Sequence, residues 1–183
     1  MSILKIAKMG HPVLLKTAIP VEDPGSPDIL RLIDNMADTM IDACGAGLAA
    51  PQVHVSLRIM IFHVQNDRAE HNEESMSLRV LINPEIKILD AKLDVDMEAC
   101  LSIPGLVGLV PRARKIYYRG HDSSGRLIEE EAEGFHARVV QHEYDHLDGI
   151  LYPMRMTDLS TLAFRDELGR SVINPEQSNS NNE

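Results

Sequence analysis

The chain has 183 residues, 44% hydrophobic and 4% aromatic with no Trp, which suits one globular domain with a core of aliphatic side chains and Met. Eighteen Lys and Arg against 28 Asp and Glu give a net charge of −10. That excludes a surface built to hold a phosphate backbone or to dock on an anionic membrane. Two cysteines, Cys44 and Cys100, are too few for a secreted disulfide framework.

The N-terminal stretch is broken by Lys5, Lys8, His11 and Lys16, and its longest apolar run is Val13-Leu14-Leu15. That is too short for a signal-peptide core or a membrane span, so a soluble, cytoplasmic protein is expected. Ser26 suits an N-cap and Pro27 the first helical position. From there Leu30, Ile33, Met36, Met40 and Ile41, with Cys44, recur at spacings of three and four. The spacing predicts a core helix ending near Cys44, with Gly45 as its stop. Cys44 is assigned to the core.

Residues 57–63 read as a strand, and residues 65–77, polar and aperiodic, as an exposed loop. Further strands are predicted at 80–89, interrupted by Asn83-Pro84, and at 115–119. Ser123-Ser124-Gly125 reads as a hairpin turn leading into a strand over 126–132. Residues 135–147 have helical length and pattern between Gly134 and Asp148-Gly149, and a short helix is expected at 157–168. Residues 1–170 are read as a single domain and the polar tail 171–183 as disordered. Helices do not alternate regularly with strands, which predicts an α+β fold with mainly antiparallel sheets.

The sharpest signal is His142-Glu143-Tyr144-Asp145-His146. On a helix, positions i and i+4 share one face, so two imidazoles can reach one metal ion. Glu143, rotated about 100° from His142, can approach a water beside that ion without being a ligand. A catalytic site of this kind requires a third protein ligand and an open position. The metzincin pattern would place a third His where Tyr152 stands, a poor ligand. A thermolysin-like pattern would take a Glu on a later helix, a place Glu167 fills, though Phe164-Arg165-Asp166-Glu167-Leu168 reads equally as a solvated helix face. Cys100, in Glu98-Ala99-Cys100-Leu101-Ser102 ahead of a turn at Pro104-Gly105, is the third candidate.

A further motif, Gly45-Ala46-Gly47-Leu48-Ala49-Ala50-Pro51-Gln52, fails as a phosphate loop because no strand precedes it and no Lys-Ser/Thr follows. Together with the segments around Cys100 and His142 it resembles the three signature motifs of peptide deformylases. Their pattern is Gly-x-Gly-x-Ala-Ala-x-Gln, then Glu-Gly-Cys-Leu-Ser, then Gln-His-Glu-x-Asp-His. The resemblance runs from about residue 3 to residue 155 and takes in Val110-Pro111-Arg112 and the Gly125 hairpin. Ala99 departs from it, standing where the family has Gly. An Ala there is strained only if φ is positive.

The resemblance implies a domain whose sheets surround a central metal-binding helix carrying the His-Glu-x-x-His segment. It implies Cys100, His142 and His146 as ligands of one divalent metal, Fe²⁺ natively, with Zn²⁺, Ni²⁺ or Co²⁺ able to occupy the site. The residue types alone point to Zn²⁺. It implies a metal-bound water as nucleophile, Glu143 as general base and then acid, and an oxyanion held by the Gln52 amide and the Leu101 backbone N–H. Gly47 would meet the substrate backbone, and Phe135, Arg138 and Val139 would line a methionine pocket, Arg138 either rimming it or solvated. The reaction would remove the N-formyl group from the formyl-methionine of new polypeptides and release formate. The nascent chain would be the partner of a monomer or homodimer of bacterial origin. Two alternatives stay open: an endopeptidase with Glu167 as third ligand, and an inactive metal- or peptide-binding module.

Overall fold

The computed structural model describes residues 2–65 and 76–169. Within them the fold is α+β: a six-stranded antiparallel sheet with two α-helices, as the element order predicts. Strands β1 (Gly47–Ala49), β2 (Ile59–Gln65), β3 (Met76–Cys100), β4 (Ile103–His121) and β5 (Leu127–Glu133) lie side by side in that order, and β6 (Ala163–Phe164) pairs with β4. Helix α1 spans Pro27–Asp42 and α2 spans Gly134–Leu147.

Strand β2 shows why the sheet sits between the helices. Ile59, Met60, Ile61 and Phe62 are all fully buried, and a strand sends successive side chains to opposite faces. Met60 and Phe62 pack with Ala137, Val140 and Leu147 of α2. Ile59 and Ile61 pack with Ile33, Met36 and Met40 of α1. A continuous apolar run is therefore required over Ile59–Phe62, where neither face meets water.

Helix α1 begins where expected, with Ser26 at the N-cap position, although its side chain makes no capping hydrogen bond. The buried stripe is Ile29, Ile33, Met36 and Met40, whereas Leu30 and Ile41 are exposed. Ile33, Met36 and Met40 of the predicted face are thus buried, and Ile29 takes the place expected for Leu30 and Ile41. At the far end the Gly45 N–H bonds to the Met40 carbonyl and the Cys44 N–H to that of Ile41, a Schellman closure. Its left-handed residue is Cys44, at φ 51°, and not Gly45.

Strands β3 and β4 are far longer than the predicted 80–89 and 115–119, at 25 and 19 residues. Asn83, at φ 52°, marks a shift in pairing where β3 leaves β2 and continues along β4. The hairpin turns at Leu101-Ser102, with Cys100 facing Ile103, so the expected turn at Pro104-Gly105 lies inside β4. Gly105, at φ 82°, belongs there to a bulge between the Cys100–Ile103 and Ala99–Val107 pairs. The loop expected at 65–77 falls mainly on residues outside those described, but its ends, Gln65 and Met76-Ser77, are paired strand.

Residues 157–168 form no α-helix. Leu159–Thr161 and Arg165–Glu167 are short 3-10 turns flanking β6, which pairs with Leu106 and Val107. Asp158 caps the first turn through the Ser160 N–H. Capping and cross-strand pairing override the helical pattern of the segment. The expected disordered tail lies outside the described residues. No helix among the described residues is long and apolar enough to cross a membrane.

Candidate active site

Three parts of the fold meet at the site, and the N-terminal segment ties them together. The Ala7 N–H bonds to the Gln52 carbonyl, the Met9 N–H to that of Ser102, and the Ala18 N–H to that of Leu147. A cleft of about 570 Å³ opens between the Gly45–Gly47 stretch, the β3–β4 hairpin and α2.

At its floor, Cys100 from the end of β3 meets His142 and His146, one turn apart on α2. All three are buried, and their donor atoms lie within 4.8 Å of one another. Cys100 Sγ is 3.3 Å from His146 Nε2. Tetrahedral bonds of about 2.3 Å to sulfur and 2.1 Å to nitrogen would put those atoms roughly 3.6 Å apart. The donor set therefore fits a single tetrahedral metal ion.

The two histidines sit in opposite electrostatic environments. Burial opposes charge on His142, but its hydrogen bonds to Cys100 and Glu98 and the adjacent Glu143 carboxylate raise its pKa well above the ordinary imidazole range. His146 behaves oppositely, pushed well down by burial and by the positive charges of His142 and Arg112.

Glu143 is 4% exposed and its Oε2 has no hydrogen-bond partner. Burial raises its pKa to about 7, with His142 and Arg112 working against the rise and Glu98 adding to it. A Cβ on Gly47 would come within 2.7 Å of Glu143 Cγ and Cδ. The glycine thus makes room for Glu143, and its expected contact with substrate is a second demand on the same small residue.

Gln52 is buried, and its side-chain orientation is fixed from both ends. Oε1 accepts from the Ala49 N–H at 2.8 Å, and Nε2 faces Ser102 Oγ at 3.2 Å and Cys100 Sγ at 3.5 Å. Leu101 sits on the hairpin turn at the cleft wall. Ala99 is absent from the positive-φ positions and pairs with Val107 in extended strand. Replacing the family Gly therefore introduces no strain.

Phe135 and Val139 line the cleft, the first 65% exposed and the second buried. Arg138 also lines it, but it is neither a solvated residue nor a free rim. It is buried, and its guanidinium bonds to Glu98 Oε1 at 2.8 Å and to the carbonyls of Val110 and Asp94 at 2.8 and 2.7 Å. Cys44 is not in the core: it is exposed and lines the cleft mouth. Glu167 is exposed on the last 3-10 turn and outside the Cys-His-His group, which removes it as a third ligand. Tyr152 stacks on His142, with ring centroids 6.3 Å apart.

Sequence reasoning gave no role to the carboxylate that organises the site. Glu98 accepts from Arg112 Nε and Nη2 at 2.8 and 3.0 Å, from Arg138, and at 2.8 Å from His142 Nδ1. That last bond leaves Nε2 of His142 for a metal. Burial would raise the Glu98 pKa, but these hydrogen bonds and charges prevail and hold it at about 2. Arg112 also donates to Asp145, whose two oxygens accept from Arg155 Nε and Nη2. The available signal was local: Glu98 shares a strand face with Cys100, and Arg138 and Asp145 share the helix face of His142.

A family model for polypeptide deformylases matches residues 3–161. Peptide deformylase 1 of Nitrosomonas europaea is 48% identical over 163 residues, covering 89% of this chain and 93% of that protein. The solved structure of peptide deformylase from Thermotoga maritima is similar with a TM-score of 0.78 and 36% identity, covering 86% of this chain and 100% of that one. The Met-Ala-Ser-bound class I type b peptide deformylase from Acinetobacter baumannii is similar with a TM-score of 0.76 and 37% identity, covering 85% and 100%.

Proposed function

The chain belongs to the polypeptide deformylase family, and from that premise we propose a division of labour among the residues of the cleft. The reaction is hydrolysis of the formamide bond of N-terminal formyl-methionine on newly made polypeptides, releasing formate and a free amine. Cys100, His142 and His146 are the ligands of its divalent metal. The resident ion we propose is Fe²⁺, from the family resemblance; Zn²⁺, Ni²⁺ or Co²⁺ suit the same donors. When bound, the ion supplies Lewis acidity, polarising a carbonyl and lowering the pKa of a coordinated water.

The protein's own groups do the rest. Glu143, with an unpartnered buried oxygen and a pKa near neutrality, takes a proton from the attacking water and returns it to the leaving amine. The Gln52 Nε2–H and the Leu101 backbone N–H receive the developing oxyanion. Gln52 is suited to this because its oxygen is already committed to Ala49, so only donors face the cleft. The substrate chain lies extended against Gly45–Gly47, with its methionine side chain toward Phe135 and Val139. The Acinetobacter relative's complex with Met-Ala-Ser supports this reading, since a peptide opening with methionine binds that protein.

One observation carries the proposal: a buried carboxylate with a free oxygen beside a converged Cys-His-His group. The test is formate release from formyl-Met-Ala by protein purified without oxygen, beside Cys100→Ala. Formate from the wild type, with loss of both metal and turnover in the variant, is expected. A variant that keeps full activity would overturn the ligand assignment.

A further inference from the structure

The charged groups lining the cleft fall into two sets. Glu98 and Arg138 are bonded to each other, and His142 and Glu143 belong to the reacting centre. Arg165 is the remaining charge. It is exposed, lines the same cleft, and joins no ion pair among the described residues. Its neighbours Asp166 and Glu167 do not line the cleft. It thus adds a positive charge to the cleft of a protein whose net charge is −10.

Its position is built by the fold. Arg165 follows β6, whose Ala163 and Phe164 pair with Val107 and Leu106. The Phe164 ring covers Gly105, where a Cβ would lie 3.6 Å from Phe164 Cδ1. Val107 in turn pairs with Ala99, next to Cys100. Two strand spacings of about 4.8 Å place this segment on the order of 10 Å from the reacting end of the cleft. An extended peptide advances about 3.3 Å per residue, so a chain leaving the reacting end toward β6 would cover that distance by its second or third residue.

We propose that Arg165 is a specificity-determining residue that favours formyl-methionyl chains carrying an acidic side chain at position 2 or 3. The inference rests on the deformylase reading above. The contact is solvent-exposed, so its effect is modest: about two- to five-fold in kcat/KM, weakening as salt is raised from 0.02 to 0.5 M.

The experiment compares C-terminally amidated formyl-Met-Ala-X and formyl-Met-X-Ala, with X as Glu, Gln or Lys, on metal-loaded wild type, Arg165→Gln and Arg165→Glu. The readout is the ratio of kcat/KM for Glu over Gln within each protein, which cancels differences in folding and metal content. A wild-type ratio of about two to five in one series, falling to about one in Arg165→Gln and below one in Arg165→Glu, is expected. A wild-type ratio near one in both series, or a ratio that survives Arg165→Gln, would overturn the inference while leaving the deformylase reading intact. Absence of formate from the Gln peptides with wild type would instead overturn the reading on which it rests.

Discussion

Gly47→Ala tests whether this residue is small in order to leave room for Glu143. The added Cβ would sit 2.7 Å from Glu143 Cγ and Cδ, whereas carbon atoms prefer about 3.5–4.0 Å. One side must therefore yield by roughly 0.8 Å or more. Gly47 lies in a paired strand and is not at positive φ, so the backbone accepts Ala without strain. Glu143 belongs to a helix packed on both neighbouring strands, so its side chain is the part that moves. A misplacement of about 1 Å in a reacting group lowers turnover about 10²-fold, and kcat is expected to fall by about that factor. The metal ligands are untouched, so metal content should remain that of the wild type. The assay is steady-state formate release from formyl-Met-Ala at saturating peptide, with metal measured by atomic emission on the same samples. A fully metallated variant with kcat within three-fold of wild type would refute the claim that Gly47 exists to seat the base.

Glu98→Gln removes the anion shared by Arg112, Arg138 and His142. It should destabilise the fold by about 3–5 kcal/mol, read from urea unfolding, and weaken metal binding about 10–100-fold, read by competition with a chelator. Unchanged metal affinity would mean that Glu98 does not orient His142. Gln52→Ala should lower kcat about 10²–10³-fold with metal retained, and a change in KM alone would assign Gln52 to ground-state binding instead.

The site was readable from sequence wherever its geometry is local. His142 and His146 sit on one helix face by spacing alone, and α2 differs from its predicted span by one residue. What failed is what depends on distant chain. Near the site the usual strand pattern is inverted: Leu93, Val95 and Met97 are exposed while Glu98 and Arg112 are buried. Hydrophobicity therefore gives no sign of the long β3–β4 ribbon or of the buried charges. Residues 157–168 have a helix-like spacing of apolar residues, but pairing of β6 with Leu106 and Val107 decides their conformation. Cys44 reads as the last turn of an apolar helix face, yet the Schellman closure turns it out to solvent at the cleft mouth.

The buried charges also show what the fold is organised to do. Buried ion pairs are poor stabilisers, because desolvation offsets most of their attraction, and apolar replacements of equal volume are often as stable. A network joining the buried Glu98, Arg112, Arg138 and Asp145, with the exposed Arg155 at its edge, is therefore not explained by stability. Its consequence at the site is specific. Arg112 binds Glu98 through two nitrogens, leaving the carboxylate one orientation, and Glu98 in turn fixes His142 through Nδ1. Arg138 reaches the same carboxylate while binding carbonyls of both β3 and β4, so the hairpin carrying Cys100 and the helix carrying both histidines are locked in one register. Lysine lacks the planar fork needed to satisfy these partners together. The ionic layer thus ties a helix and a hairpin, each adjustable alone, into one arrangement of Cys100, His142 and His146.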